Sequence, residues 1–125
     1  MTEPPARSRH LLVTAGPTQE PIDEVRYLSN RSSGRMGIAI AQAAAARGWT
    51  VTLLLGPVPQ TGIPSACDSQ PVVVRFRTTA DLERLLAEHG PSADVVVMAA
   101  AVADYRPAGG VRQGKLERGA GLTLE

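Results

Sequence analysis

Four short aliphatic runs limit the fold more than any other feature of this sequence. They occupy residues 11–15, 51–55, 72–74 (with Phe76 two residues later) and 95–98, and the first two end directly at a Gly-Pro pair. Unbroken apolar runs of this length are typical of strands in a parallel sheet, because helices cover both faces of such a sheet. The sequence therefore predicts four parallel strands.

Two segments between these runs have helical character. The first spans residues 34–47, and the second begins after a cap at Thr78 or Thr79 and ends near His89. On the first helix we expect one stripe to face the sheet, with small residues beside it: Met36, Ile40 and Ala44, flanked by Gly37, Ala41 and Ala45. The alternation predicts an α/β fold, a Rossmann-like parallel sheet with helices on both faces in three α/β/α layers.

Length and composition indicate one domain. We expect residues 1–10 to form a flexible N-terminal segment and residues 11–125 one Rossmann-like domain. Residues 122–125 alternate like a strand just beginning, so we expect the domain to be truncated at its C-terminus. The only cysteine, Cys67, excludes an intramolecular disulfide and is interpreted as an incidental loop thiol.

The charge and hydropathy patterns limit the partners and the compartment. A net charge of +1 gives no broad surface for nucleic acid or for a membrane. The sequence has no signal-peptide pattern and no apolar run of about 18 residues. We therefore expect a cytoplasmic protein.

Ligands of open parallel sheets bind beyond the carboxyl ends of the strands, which directs attention to residues 16–33, 56–60 and 99–115. Within the first of these ranges, residues 30–37 lead directly into the first helix. Backbone N–H groups and the helix dipole attract anions there, and Ser32 and Ser33 add hydroxyl groups. Gly34 and Gly37 would leave room for a phosphate. A purely structural alternative, in which Ser32 or Ser33 simply caps the helix, stays open.

Two common nucleotide-binding patterns are absent. Gly-x-Gly-x-x-Gly does not follow the first strand, and no acidic residue ends the second strand to hold a ribose. The Walker pattern Gly-x4-Gly-Lys-Ser/Thr is also missing. An NAD-dependent enzyme and a P-loop ATPase are therefore disfavoured.

Charged residues in these loops allow two interpretations each. Glu20, Asp23 and Glu24 could attract magnesium, or they could form local ion pairs with Arg26. Asp104, just past the fourth strand, could accept a hydrogen bond from a ligand or could begin a turn. Lys115, in a glycine-rich stretch, could close over a polyphosphate or could be an exposed surface lysine.

Together, three blocks of sequence resemble the phosphopantothenate–cysteine ligase family. The blocks are Thr14-Ala15-Gly16-Pro17-Thr18-Gln19-Glu20-Pro21-Ile22-Asp23 with Val25-Arg26-Tyr27, Ser29-Asn30-Arg31-Ser32-Ser33-Gly34-Arg35-Met36-Gly37, and Ala99-Ala100-Ala101-Val102-Ala103-Asp104-Tyr105-Arg106. The similarity runs from Leu11 to Glu125 and corresponds to the N-terminal part of the ligase domain.

The resemblance implies an enzyme that joins 4'-phosphopantothenate to cysteine in coenzyme A biosynthesis. The carboxylate of phosphopantothenate attacks the α-phosphorus of CTP or ATP with the help of Mg²⁺, and the cysteine amine then displaces the nucleoside monophosphate. By the same resemblance, Asn30 and Lys115 would be catalytic. Nucleotide or phosphate would be bound by Gly16, Ser32, Ser33, Gly34, Met36, Gly37, Ala99, Ala100 and Asp104, with no protein metal site.

The resemblance also implies a homodimer, and a phosphopantothenoylcysteine decarboxylase as a possible separate protein. A flavin-dependent decarboxylase domain precedes the ligase in many bacterial relatives, and we expect no such domain and no flavin here. The lysine-rich run of the family is thinned to Lys115-Leu116-Glu117-Arg118. This thinning permits a nucleotide-binding module without ligase activity as the main alternative. An NAD(P)-binding oxidoreductase of similar architecture is a third interpretation, against which the missing ribose carboxylate argues.

Overall fold

The computed structural model describes residues 8–59, 70–119 and 121–125. In chain order it contains β1 (His10–Ala15), β2 (Gln19–Pro21), β3 (Tyr27–Ser29), α1 (Arg35–Ala46), β4 (Thr50–Leu55), β5 (Val72–Arg75), α2 (Thr79–His89), a 3-10 turn (Gly90–Ser92) and β6 (Val95–Met98). A four-stranded sheet has the order β5-β4-β1-β6, and all its pairs are parallel. The predicted strands and helices of a Rossmann-like fold are confirmed.

Alternation along β1 and β4 divides the core into two clusters. Leu11, Val13 and Ala15 pack on one side of the sheet with the buried residues of α1, whereas Leu12 packs on the other side with Leu82 of α2. Successive side chains of a strand point to opposite faces, so one buried strand serves two helices. The result is the predicted arrangement with helices on both faces.

The face of α1 that meets the sheet differs from the predicted stripe. Met36 is 72% exposed, whereas Gly37, Ile38, Ala41 and Ala45 are buried. A Cβ added at Gly37 would overlap the Ala15 methyl group and would lie 3.0 Å from the Thr14 carbonyl oxygen. The smallest residues therefore face β1, because the helix backbone lies almost against the strand.

The N-terminal part of the chain is more ordered than expected. His10 belongs to β1, the Ser8 hydroxyl donates to the Gly48 carbonyl oxygen over 3.1 Å, and the Arg9 guanidinium lies 5.6 Å from the centre of the Trp49 ring. Residues 8–10 therefore have defined contacts, and β1 begins one residue before the predicted start of the domain. Residues 1–7 lie outside the described residues, as do Cys67 and the last residue of the predicted turn at 56–60.

The polar segment between β1 and α1 contains a hairpin that the sequence did not predict. Gln19 pairs with Ser29, Glu20 with Leu28 and Pro21 with Tyr27 in antiparallel register. The chain reverses direction over the turn Ile22–Arg26, where the Ile22 N–H donates to the Arg26 carbonyl oxygen over 2.9 Å. This hairpin carries the chain from the end of β1 to the start of α1.

The segment after β6 follows the end of β1. The N–H of Ala99 donates to the Thr14 carbonyl oxygen over 3.1 Å, and that of Ala101 donates to the Gly16 carbonyl oxygen over 2.9 Å. Farther on, residues 106 and 125 exchange two backbone hydrogen bonds, but the described residues 121–125 form only an isolated bridge between Leu124 and Pro107 and no strand. Within the described ranges, no helix is long and apolar enough to cross a bilayer.

Candidate functional site

The strand order reverses between β1 and β6. From β1 the chain continues through α1 to β4 on one side, whereas β6 joins β1 on the other side. Open α/β sheets bind ligands at such a reversal of strand order, beyond the carboxyl ends of the strands. The segments that begin at Gly16 and Ala99 continue from the sheet at this point and stay paired with each other through a parallel bridge between Pro17 and Ala101.

Asn30 lies beside these two paired segments. Its side-chain nitrogen donates to the Ala101 carbonyl oxygen over 3.2 Å, and the same oxygen accepts the Thr18 N–H over 3.1 Å. The preceding residue, Ser29, is also fixed, because its hydroxyl donates to the Thr18 carbonyl oxygen over 2.9 Å. Asn30 remains exposed, so its amide is held by the sheet segments and still reaches solvent.

Gly34 forms the start of α1. It is the N-cap residue and has a φ of +74°, a left-handed conformation that favours glycine. The alternative with a serine as N-cap is therefore wrong. The serine hydroxyls instead accept from neighbouring N–H groups, Ser32 from Gly34 over 3.3 Å and Ser33 from Arg35 over 3.4 Å.

The surroundings of this helix start suit an anion. A glycine N-cap has no side-chain oxygen for the N–H groups of the first turn, and that turn contains no acidic residue. A cavity of about 360 Å³ beside it is lined by Ser32, Ser33, Arg35, Gln42 and Pro57, among others. The positive end of the helix dipole, two hydroxyl groups and a guanidinium group therefore lie close together.

The glycines around this start have different roles from those expected. Gly16 is buried, and a Cβ added at Gly34 would lie 3.5 Å from the Gly16 α-carbon. The missing Cβ of Gly37 leaves room for β1. The prediction that it leaves room for a phosphate is therefore wrong. The backbone N–H groups of Met36 and Gly37 stay candidates for phosphate binding, because both belong to the first turn.

Ala99 and Ala100 have their N–H groups occupied. Thr14 accepts both, through its carbonyl oxygen from Ala99 and through its hydroxyl from Ala100, over 3.1 Å each. Thr18 similarly accepts the Ala103 N–H over 2.9 Å. The N–H groups of Ala99 and Ala100 are therefore not available to a nucleotide. The two threonines were missed, although hydroxyl groups in and beside an aliphatic strand are a usable signal.

Asp104 lies in a second cavity of about 360 Å³, near the start of α2. It is exposed there and shares the cavity with Glu20, Thr79, Glu83 and Arg106, among others. The predicted nucleotide residues therefore lie around two cavities. Ser32 and Ser33 line the cavity beside α1, and Asp104 lines the one near α2.

Lys115 is exposed and lines a third cavity, of about 530 Å³, together with Val25, Arg26, Leu116, Glu117 and Arg118. The cavity therefore lies beside the turn of the β2–β3 hairpin. The contacts of Asn30 are at the other end of β3. One hairpin thus connects the two predicted catalytic residues.

Two of the three carboxylates that were considered for magnesium, Asp23 and Glu20, have protein partners. The Asp23 side chain is fully buried and pairs with Arg26 over 2.8 Å, and Glu20 accepts the Thr79 N–H over 2.8 Å. The Arg26 guanidinium, followed by the Leu116 N–H, holds the pKa of the Asp23 carboxyl well below its usual range. Among the described residues, no group of three or more His, Cys, Asp or Glu could hold a metal ion.

The sheet, its two helix layers and the polar segments at the strand reversal define a Rossmann-like α/β protein. The chain belongs to the family described as DNA/pantothenate metabolism flavoprotein C-terminal domain, whose sequence model matches residues 6–125.

Three curated relatives are informative. The Mycobacterium tuberculosis (strain ATCC 25618 / H37Rv) coenzyme A biosynthesis bifunctional protein CoaBC is 48% identical over 111 residues, 89% of this chain and 25% of the relative. The Escherichia coli (strain K12) protein of that name is 45% identical over 101 residues, 79% of this chain and 23% of the relative. A cysteine/cysteine sulfinic acid decarboxylase from an unknown prokaryotic organism is 47% identical over 121 residues, 97% of this chain and 32% of the relative. The chain thus spans about a quarter to a third of these proteins.

Solved structures support the fold. The C-terminal domain of coenzyme A biosynthesis bifunctional protein CoaBC superposes with a TM-score of 0.72 at 40% identity, covering 82% of this chain and 50% of that one. The DNA/pantothenate metabolism flavoprotein from Streptococcus pneumoniae gives 0.71 at 29% identity, covering 81% and 45%.

Proposed function

We propose that this chain forms part of a phosphopantothenate–cysteine ligase of coenzyme A biosynthesis. The observation that carries the proposal is the position of Asn30, whose amide is fixed to the Ala101 carbonyl oxygen beyond the carboxyl ends of β1 and β6. Family membership and the names of the CoaBC relatives support it. Because the chain spans only a fraction of those relatives, the complete active site would belong to a longer protein.

In the first step, a carboxylate oxygen of 4'-phosphopantothenate forms a bond to the α-phosphorus of CTP or ATP. The bond from that phosphorus to the pyrophosphate oxygen breaks, and pyrophosphate leaves. An acyl-nucleotide, an acyl-cytidylate where CTP is used, results. The start of α1 would bind phosphate oxygens through its first-turn N–H groups, with Ser32, Ser33 and Arg35 beside them.

In the second step, the cysteine amine attacks the acyl carbon. The bond from this carbon to the phosphate oxygen breaks, the nucleoside monophosphate leaves, and the amine loses a proton to solvent. Asn30 has two N–H bonds on its side-chain nitrogen, and Ala101 accepts one of them. The other would donate to the acyl oxygen as negative charge develops there.

Lys115 and Asp104 would act at the edges of this site. Lys115 would neutralise charge on the phosphates, since its side chain is exposed. Asp104, in the cavity near α2, would accept a hydrogen bond from a nucleotide hydroxyl or amine. Mg²⁺ would enter with the triphosphate, because Asp23 and Glu20 already have protein partners. We also propose a homodimer, a cytoplasmic location and, as a possible partner, a separate phosphopantothenoylcysteine decarboxylase.

The test is an assay of the full-length protein with phosphopantothenate, cysteine, Mg²⁺ and either CTP or ATP. We expect pyrophosphate release that depends on both phosphopantothenate and nucleotide. Nucleotide binding without turnover would instead indicate a module without ligase activity. Tight nicotinamide binding would indicate an oxidoreductase.

One relative favours a second candidate function, because its name describes decarboxylation of cysteine or cysteine sulfinic acid. The same protein is therefore incubated with each of these compounds in the absence of nucleotide. Release of CO₂ there, without any nucleotide-dependent pyrophosphate release, would replace the ligase proposal.

Asn30→Asp tests the residue itself. The aspartate has no N–H to donate, and its charge repels the developing oxyanion, so we expect ligation to fall by about 100-fold or more while nucleotide affinity changes little. Gln70→Glu makes the same chemical change at another exposed amide and should leave turnover unchanged. Normal turnover in Asn30→Asp would remove Asn30 from the mechanism.

A further inference from the structure

Four hydrogen bonds join the segment around Lys115 to the turn of the β2–β3 hairpin. The Arg112 N–H donates to Ile22 over 3.0 Å, and the Glu24 N–H donates to Gly114 over 3.0 Å, each to a carbonyl oxygen. The Leu116 N–H donates to a carboxylate oxygen of Asp23 over 2.7 Å, and Arg26 donates to the Leu116 carbonyl oxygen over 2.8 Å. We call residues 112–118 the Lys115 segment.

Asp23 is the centre of this junction. One of its carboxylate oxygens accepts the backbone N–H groups of Val25 and Arg26 over 2.9 Å and 2.7 Å. The other accepts the Arg26 side chain over 2.8 Å and the Leu116 N–H over 2.7 Å. A buried carboxylate needs such partners for its lone pairs, and here the partners come from both segments. The charge of Asp23 is therefore used to join the turn to the Lys115 segment.

The junction fixes the backbone on both sides of Lys115 and leaves its side chain exposed. Gly114 is held through its carbonyl oxygen, and Leu116 is held through both its N–H and its carbonyl oxygen. The Lys115 side chain itself lines the cavity beside the turn. A lysine mounted in this way has a defined starting point, and only its own side-chain torsions remain to be fixed when an anion binds.

We propose that Asp23 is a positioning residue, which holds the Lys115 segment on the β2–β3 hairpin and so sets where Lys115 meets the phosphates. The part of this inference that concerns catalysis rests on the proposed ligase function. The hairpin also ends next to Asn30. It therefore sets the distance between the amide that would contact the acyl group and the lysine that would contact the phosphates.

Trypsin gives a direct readout of the junction, because it cleaves between Lys115 and Leu116. The N–H of that same peptide bond is the group that Asp23 accepts. Asn has one acceptor oxygen where Asp has two, so Asp23→Asn loses either the contacts within the turn or those with Leu116 and Arg26. In the full-length protein we expect cleavage after Lys115 to become about tenfold faster or more, since protease access follows local opening.

Asp81→Asn is the matched control. Asp81 also accepts backbone N–H groups and has a lowered pKa, with the Thr78 N–H as the main cause, but it caps α2. This variant should leave cleavage after Lys115 unchanged, even where overall stability falls. Unchanged cleavage in Asp23→Asn, or equal acceleration in both variants, would show that Asp23 does not hold the Lys115 segment on the hairpin.

A double-mutant cycle tests the positioning role. In the ligase assay, Asp23→Asn should lower kcat by about 10-fold to 100-fold, with a smaller change in KM for nucleotide. In a protein that already carries Lys115→Ala, the same substitution should have little further effect, because the group that it positions is gone. Additive losses in kcat would overturn the positioning role, even with faster cleavage. A wild-type protein without ligase activity would overturn the proposed function and with it the positioning role. The cleavage rates would still test whether Asp23 holds the Lys115 segment on the hairpin.

Discussion

The two helices of this protein begin in opposite ways. At α2, Thr78 is the N-cap, its side chain accepts the Asp81 N–H over 3.0 Å, and the Asp81 side chain accepts the Thr78 N–H over 3.1 Å. Glu20 adds a third acceptor by binding the Thr79 N–H. At α1, Gly34 is the N-cap, and the first turn has no acidic residue. The start of α2 is thus satisfied by the protein itself.

This difference distinguishes a structural helix start from a candidate binding site. Free N–H groups at a helix N-terminus carry about half a positive charge, and two carboxylates neutralise it at α2. At α1 the neighbours are hydroxyl groups and Arg35. An anion therefore gains more from binding at α1 than at α2.

The largest effect is expected from Gly37→Ala, which would move α1 away from β1. The added methyl group would overlap Ala15, so we expect the free energy of unfolding to fall by about 1–3 kcal/mol, measured by urea denaturation. Gly90→Ala is the control, because a Cβ at Gly90, the C-cap of α2, meets nothing within 4 Å and φ is −58°. An equal loss in both variants would contradict the close packing of α1.

Met36→Glu and Ala80→Glu place a carboxylate at the second residue of α1 and of α2. Both positions are exposed. In the full-length protein, we expect Met36→Glu to weaken nucleotide binding by about tenfold, because the new carboxylate competes with phosphate for the first-turn N–H groups. Calorimetric titration with nucleotide measures this change. A larger loss of affinity in Ala80→Glu would place the anion at α2 instead.

Thr78→Ala removes the side-chain acceptor at the start of α2. We expect a loss of about 1 kcal/mol in the free energy of unfolding, and no change in nucleotide affinity. Ser33→Ala at the start of α1 should weaken nucleotide binding and leave the free energy of unfolding nearly unchanged. The stability changes little because the Arg35 N–H donates to the Ser33 hydroxyl over a long distance of 3.4 Å. The comparison fails if Thr78→Ala weakens nucleotide binding and Ser33→Ala does not.

The smallest effect is a difference in acid sensitivity. The N–H of Thr78 holds the pKa of the Asp81 carboxyl below its usual value of 3.8. Because the folded-state pKa is lowered, the stabilisation is fully present above the unfolded value and is lost as pH falls through the folded value. Urea midpoints measured from about pH 5 to about pH 3 should fall further in the wild type than in Asp81→Asn. Parallel curves would show that Asp81 contributes nothing through its charge.

The regular elements could be predicted, because each main strand is rich in aliphatic residues and Thr78 and Asp81 have the spacing of a capping box. The hairpin could not be predicted in this way. Its strands have three residues each, β2 ends in Pro21, and its turn depends on a carboxylate that bonds to a segment about 90 residues away. Such pairing produces no hydrophobic periodicity in the local sequence.

The site could be predicted in part. Glycine at positions 34 and 37 indicated that another group lies close to the backbone there. The sequence does not say whether that group is a ligand or another part of the protein. At Gly37 it is Ala15. The position of Asn30 depends on the Ala101 carbonyl oxygen. Every residue has such a backbone oxygen, so the sequence does not indicate which one Asn30 contacts.

The division of the core by β1 and β4 has a consequence for energetics. The buried residues that pack with α1 and those that pack with α2 form two sets without a common member. Changes at sites with no shared partners usually combine by simple addition. We therefore expect the losses in unfolding free energy from one substitution beside α1 and one beside α2 to add in the double variant. Any difference between the measured loss and this sum would measure how far the sheet transmits strain between the two helices.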